Sequence, residues 1–293
     1  MAVPICNAHG SGADGQGPIG QSEWMTALAR IDDRRRMTID RRKGGGRRAE
    51  ELDAALREGQ VEILFQPQFA CEDGRLVGAE ALSRWNHPRL GRIGAEALFD
   101  IAERAGEASR LTRHIAQRAL AIAATWPAPL CLSLNVSASD LAEEDFAETI
   151  VAAVTGAGFA PGRLTLEITE QALVRDLDEG AAQLERLAAR GIRIALDDFG
   201  AGFCNFRYLK RLPLDALKLD RSMIEGITED RRDLAVLRGI LAMARALDLG
   251  VTAEGIETEA QRETVAREGC AVWQGFLGAQ PMAAEAFAEM ANS

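Results

Sequence analysis

From residue 49 onward two periods of hydrophobic and polar positions alternate along the chain. Short runs with strand-like patterning, rich in Val, Ile, Leu and Phe, are separated by longer stretches whose apolar positions recur at helical spacing. The strand-like runs fall at 61–69, 76–83, 129–136, 163–169, 192–197, 215–219, 250–253 and 271–276, and helices are predicted at 95–105, 109–124, 143–157, 176–190, 231–247, 257–268 and 283–291. This alternation is the signature of an α/β fold with a largely parallel sheet. Only a short link carrying the turn-forming Glu72-Asp73-Gly74-Arg75 separates the first two runs, so that pair is predicted to be an antiparallel hairpin. Eight strands in about 240 residues predict a (β/α)8 TIM-like barrel with an irregular first unit. The competing architecture, an open doubly wound sheet built for nucleotides, lacks its Gly-x-Gly-x-x-Gly turn and its Gly-Lys-Ser loop.

Ahead of this pattern, residues 1–48 read differently. They are rich in glycine and small polar residues and end in a run of arginines broken by Gly44-Gly45-Gly46, so residues 1–48 are expected to form a flexible basic tail and residues 49–293 the folded domain. The tail is too short for a preceding enzymatic domain. Its arginines are assigned to solvent, with contact to anionic lipid, nucleic acid or a partner protein as the alternative. Charge follows the same division: the tail carries nine Lys/Arg against five Asp/Glu, whereas the chain as a whole has a formal net charge of −10. A body that acidic does not coat a nucleic-acid polymer, which is gripped by many basic contacts. There is no apolar run of about 20 residues and no charged, then apolar, leader, so a cytoplasmic protein is expected. The five cysteines (Cys6, Cys71, Cys131, Cys204, Cys270) include no Cys-x-x-Cys pair, and the three histidines (His9, His87, His114) are not at ligand spacing. Any metal must therefore be held by carboxylates and amides, which favours hard ions such as Mg²⁺ or Mn²⁺.

Polar residues recur at the ends of the predicted strands, where a barrel assembles its active site. In order they are Gln66, Glu80, Asn135, Glu167, Asp197 with Asp198, Lys218, Glu254 and Gln274. Any one alone reads as a cap or a loop hydrogen-bond acceptor; one per strand end is not explained by solubility. Adjacent Asp197 and Asp198 converge only if the chain turns there, and Phe199-Gly200-Ala201-Gly202 is expected to supply that turn. Two carboxylates held together call for a cation between them, and paired divalent metals activate water against phosphodiesters.

These residues lie in blocks that together resemble one family. Glu80-Ala81-Leu82 matches the three residues that give the EAL domain its name. Around it stand Phe65-Gln66-Pro67, Leu134-Asn135-Val136-Ser137, Glu167-Ile168-Thr169-Glu170, Asp197-Asp198-Phe199-Gly200, Leu217-Lys218-Leu219-Asp220, Ala253-Glu254-Gly255-Ile256-Glu257 and Gln274-Gly275-Phe276-Leu277, in the family's order. The resemblance implies a barrel whose first strand runs against the others and a homodimeric cyclic di-GMP phosphodiesterase that uses two Mg²⁺ or Mn²⁺ ions to yield linear 5′-pGpG. It also implies roles: Glu80, Asn135, Glu167 and Asp197 as metal ligands, Asp198 and Glu254 completing the second metal site, and Lys218 orienting the attacking water with Glu254 assisting proton removal. Gln66, Arg84, Asp215 and Gln274 are implied to contact the dinucleotide or support the site, and Glu170 to brace the loop after Asp198.

Where the family continues Thr-Gly-Tyr-Ser-Ser after that loop's Gly200, this chain has Ala201-Gly202-Phe203-Cys204-Asn205. The resemblance also admits a second role, a weakly catalytic domain acting as a cyclic di-GMP receptor or protein-interaction module. Degenerate receptors lose metal ligands, and here every ligand position is filled.

Overall fold

A computed structural model of the chain describes residues 44–169, 172, 177–201 and 206–293. Residues 46–293 form one compact unit. Among the described residues the sheet has nine strands: β1 (Val61–Ala70), β2 (Leu76–His87), β3 (Gly91–Ile93), β4 (Cys131–Val136), β5 (Leu164–Thr169), β6 (Arg193–Phe199), β7 (Ala216–Leu219), β8 (Gly250–Ala253) and β9 (Val272–Trp273). They are ordered β1-β9-β8-β7-β6-β5-β4-β2-β3, and a further β1–β2 pairing closes the ring of eight, leaving β3 as an appendage on β2. Strand β1 is antiparallel to both of its neighbours, β2 and β9, whereas the pairings from β2 through β4 to β9 are parallel. This is the (β/α)8 barrel with a reversed first strand.

Alternation along each strand divides the molecule into layers. On β5, Leu164, Leu166 and Ile168 are fully buried against the surrounding helices, while Glu167, also buried, points into the barrel. Helix α6 (Leu177–Ala188) answers with Ala181, Leu184 and Leu187, none of them exposed. Chain termination follows local chemistry. Helix α2 (Ala95–Ala105) stops at Gly106, and α9 (Glu259–Glu268) starts on a Thr258–Gln261 capping box and stops at Gly269; both glycines take the left-handed conformation open to a residue without Cβ.

Four features of the structure differ from the sequence expectation. Strand β3 was not foreseen: its three residues pair with Trp85, Asn86 and His87, and the turn between is held by His87 Nδ1, which accepts from the Arg89 and Leu90 backbone N–H groups at 3.1 Å. Helix α1 (Gly44–Arg57) occupies residues 44–48, which were assigned to the tail. Three consecutive glycines argue against a helix locally, but Leu52, Ala55 and Leu56 bury in the core, and tertiary packing outweighs propensity. Residues 1–43 of the expected tail lie outside the described residues. Two short helices, α4 (Ala138–Leu141) and α7 (Phe206–Arg211), also went unrecognised, being too short to display a period. Finally, the last strand ends at Trp273, because Gly275 packs directly on Ile256: a Cβ on it would lie 2.1 Å from the Ile256 carbonyl oxygen. The backbone bonds Ile256 N–H to Gln274 O and Leu277 N–H to Ile256 O replace the ladder. Among the described residues no helix is long and apolar enough to cross a membrane.

Candidate active site

All eight barrel strands deliver a polar group to the carboxyl-terminal end of the barrel. Gln66 comes from β1, Glu80 from β2, Asn135 from β4, Glu167 from β5, Asp197 and Asp198 from β6 and Lys218 from β7; Glu254 and Gln274 directly follow β8 and β9. Lys218 is the hub. Its side chain is only 2% exposed, and Nζ lies 2.7 Å from Glu167 Oε2, 2.8 Å from Glu254 Oε1, 3.1 Å from Asp197 Oδ1 and 3.6 Å from Glu80 Oε2. Burial by itself would lower the lysine's pKa, but the charges of Asp197, Glu167, Glu254 and Glu80 outweigh it and hold the ammonium well above the ordinary value.

The carboxylates respond unequally. Burial raises Glu167 well above the usual range against the pull of Lys218, with Glu80, Asp197 and Glu254 adding repulsion. Burial likewise pushes Glu254 up to about 8. Asp198 is raised by burial and by its neighbour Asp197. Glu80 goes the other way: burial opposes its charge, but Lys218 and hydrogen bonds from Gln274 and Asn135 keep it ionised below the ordinary value. One ammonium does not neutralise five carboxylates.

Asp198 reaches the site through a defect in its strand. The β6–β7 register advances from Leu196–Leu217 to Phe199–Leu219, so β6 carries one extra residue, and Asp198 sits there at φ +55°. A bulge of this kind re-aims a side chain that regular alternation would send outward. The turn expected at 199–202 thus lies one residue earlier, on the aspartate itself, a residue type that tolerates left-handed backbone. Oxygens of Asp197, Asp198 and Glu254 consequently lie within 4.8 Å of one another.

The donor set fits divalent cations. It consists of carboxylate oxygens with excess negative charge, and Asn135 donates Nδ2 to Glu80 Oε1 at 2.7 Å, which leaves its carbonyl oxygen for a cation. Two cavities meet at Glu80 and Leu82. One, about 350 Å³, is lined by Gln66, Asp197, Asp198, Lys218, Glu254 and Gln274; the other, about 580 Å³, opens between Asn135 and the α2 face bearing Phe99.

Of the substrate-side residues, Gln66 and Gln274 belong to this constellation: Gln274 Nε2 donates to Gln66 Oε1 at 3.0 Å and to Glu80 Oε2 at 2.8 Å. Arg84 shares the β2 face of Glu80, with Nη1 donating to Ser83 O at 2.8 Å, and forms no part of either cavity wall. Asp215, expected beside the substrate, does not join them. It precedes β7 at the amino-terminal end of the barrel, where its Oδ2 accepts from the Ile194 N–H at 2.8 Å and pins the start of β6. Lys218 lies three residues further along the strand, a span of about 10 Å. Asp220, two residues beyond Lys218, lies at the active end, close enough to raise Asp198. Parity within the Lys218-Leu219-Asp220 block carried that signal. The same parity links Gln66 to Gln68, a buried residue the sequence reading passed over. Glu170 lies outside the described residues, as do residues 202–205 of the loop that departs from the family.

Comparison with known proteins agrees with the geometry. The EAL domain family model matches residues 49–281. This chain belongs to the EAL domain family. Over 244 residues it is 38% identical to the cyclic di-GMP phosphodiesterase NbdA of Pseudomonas aeruginosa, covering 82% of this chain and 31% of that protein. To the bifunctional diguanylate cyclase/cyclic di-GMP phosphodiesterase MucR of the same organism it is 36% identical over 239 residues, covering 80% and 35%. The chain thus spans about a third of the length of these relatives. A solved structure, the PaMucR phosphodiesterase in complex with c-di-GMP, superposes with a TM-score of 0.76 at 36% identity, over 82% of this chain and 99% of that one. The FimX EAL domain from Pseudomonas aeruginosa, 21% identical, shares the fold with a TM-score of 0.74 over 80% and 95%. EAL enzymes depend on divalent metal, and the acidic cluster of this EAL domain is of the kind that holds one.

Proposed function

We propose that this EAL domain hydrolyses cyclic di-GMP to linear 5′-pGpG with two divalent cations, Mg²⁺ or Mn²⁺. The observation that carries the reading is Lys218 Nζ set among Glu80, Glu167, Asp197 and Glu254, each from a different strand end, beside the Asp197–Asp198–Glu254 cluster. Glu80, Asn135, Glu167 and Asp197 would hold one cation, and Asp198 with Glu254 would complete the site of the other. When bound, such ions acidify water and offset charge on the phosphate.

The remaining work belongs to the side chains. Water adds to phosphorus, the bond to the 3′ oxygen breaks, and that oxygen gains a proton. Lys218, fixed by its four carboxylates, orients the attacking water and presents positive charge without reorganisation. Glu254, whose carboxylate faces both Lys218 and the cavity, is positioned to take the water's proton. Gln66 and Gln274 meet the dinucleotide from β1 and the loop after β9, with Arg84 alongside. The domain is proposed to work as a homodimer in the cytoplasm.

The test is hydrolysis of cyclic di-GMP by purified protein with Mn²⁺ or Mg²⁺, alongside Glu80→Ala. Turnover to 5′-pGpG that disappears in the variant is expected. Binding without turnover in the wild type would overturn the enzyme and leave a cyclic di-GMP receptor.

A further inference from the structure

Beneath Glu80 the barrel interior holds a chain of amides whose innermost member, Gln68, the proposed reaction does not use. Gln68 Nε2 donates to Gln274 Oε1 at 3.0 Å and to Ser133 Oγ at 3.4 Å, and Gln274 Nε2 donates in turn to Glu80 Oε2 and Gln66 Oε1. All five residues are buried, Gln68 at 8% exposure and Gln274 at 4%. The chain has one direction. Glu80 accepts from Asn135 Nδ2 and has the Lys218 ammonium 3.6 Å away, so the Gln274 atom facing it is the amide NH₂; its carbonyl then faces Gln68, which presents its own NH₂. Gln66, whose carbonyl is engaged by Gln274, is left to offer its NH₂.

An unrestrained glutamine amide is nearly symmetric and can turn by a half rotation. Turned, Gln274 would set its carbonyl oxygen against Glu80 Oε2 and Gln66 Oε1. Gln68 prevents this by giving the carbonyl a donor on the far side. Its place is prepared by the backbone. Gln68 pairs across the β1–β2 ladder with Gly78, where a Cβ would come within 2.4 Å of the Cys131 carbonyl oxygen, so no β2 side chain occupies the space through which Gln68 reaches Ser133 on β4.

We infer that Gln68 is a positioning residue: it locks the Gln274 amide in the orientation that donates to Glu80, and so sets the cation affinity of Glu80 and the donor that Gln66 offers to the substrate. This rests on the reading of Glu80 as a cation ligand. Hydrogen-bond partners one step removed from a metal commonly change affinity or activity by about 10- to 100-fold, and that range is expected here.

The experiment compares wild type, Gln68→Met, Gln274→Met and the double variant by calorimetric titration of Mn²⁺ onto metal-free protein and by kcat/KM for cyclic di-GMP. Gln68→Met keeps the side-chain length and removes the donor. It should weaken Mn²⁺ binding and lower kcat/KM by about tenfold or more, and add less than about threefold in the Gln274→Met background, a dependence that a merely structural role would not produce. Should Gln68→Met melt below wild type, Gln68→Glu, which accepts from Gln274 and donates nothing, carries the same expectation of loss. Wild-type Mn²⁺ affinity and kcat/KM in the variant, or an equal loss with and without Gln274, would overturn the inference. If the wild type binds Mn²⁺ but turns over no cyclic di-GMP, the proposed enzyme fails while the Mn²⁺ titrations still decide Gln68; if it takes up no Mn²⁺, both readings fall.

Discussion

At the scale of single residues, Lys218 combines two properties that rarely coexist, full burial and full charge. The four carboxylates that hold it charged are themselves held together by it, so Lys218→Met should destabilise the metal-free protein by about 3–5 kcal/mol, the usual consequence of leaving buried charge unmatched. Added Mn²⁺ should recover much of that loss in a thermal melt, while kcat stays lower by on the order of 100-fold, as for removal of one preorganised electrostatic donor. Recovery of kcat along with stability would show that Lys218 is structural only. Glu254 gives a pH prediction for the metal-free protein. Its carboxyl is raised from 4.5 to about 8 in the fold, so between those values the folded state binds more protons than the unfolded one, and stability falls as pH rises. Glu167 and Asp198, raised in the same direction, add to the slope. Melting temperatures of metal-free protein should therefore decline from about pH 5 to 8; Glu254→Gln should flatten the decline, and saturating Mn²⁺ should abolish it.

Individual elements deliver these groups through small departures from regularity. The extra residue in β6 brings the exposed Asp198 beside Asp197 and Glu254, and Asp198→Asn keeps a side chain suited to φ +55° while removing the charge. That variant should melt within about 1 kcal/mol of wild type yet need far more Mn²⁺ for half-maximal activity. A comparable role falls to Gly275, whose bare Cα rests on Ile256 and fixes the preceding Gln274. Gly275→Ala should cost about 1–3 kcal/mol as an overpacking change and reduce kcat/KM through displacement of Gln274; unchanged kinetics would separate this contact from the site. The capping box at Ser137, two residues after Asn135, with Asp140 accepting from both the Ser137 N–H and Oγ, starts helix α4 and fixes the end of β4. Among these features only the capping pattern could be read locally; the bulge and the Gly275 contact depend on partners distant in sequence.

For the whole molecule, ring closure is the decisive event. Gln66 and Gln274 are separated by 208 residues and meet because β1 pairs with both β2 and β9. Burial of the aromatic group Phe65, Trp126 and Phe287, with ring centroids 4.5–6.0 Å apart, brings the last helix, α10 (Ala284–Ala291), against the outside of β1 at the same junction. The closed acidic end makes stability responsive to cations: binding to the folded state alone at 100 times the dissociation constant contributes about 2.7 kcal/mol. Dialysis against a chelator should thus lower the melting temperature and stop hydrolysis, and Mn²⁺ should restore both. A melting temperature indifferent to Mn²⁺ would count against a cation site in this cluster.

The sequence by itself determined the alternation of strands and helices, the first hairpin, and the polar residue at each strand end, because periodicity, turn chemistry and parity are local and survive in a single chain. Of the two aspartates flanking β7, Asp220 shares the parity of Lys218, but only the barrel's closed arrangement shows that Asp215 is spent at the opposite end on the start of β6. Helix α1 was hidden by its glycines and recovered by the burial of Leu52 and Ala55. Only the tertiary structure decided that Asp198 stands within reach of Glu254, that Lys218 gathers carboxylates from other strands, and that Gln68 reaches Gln274. Each of these is a contact between segments far apart in the chain, and their free energy is realised only once the ring is closed.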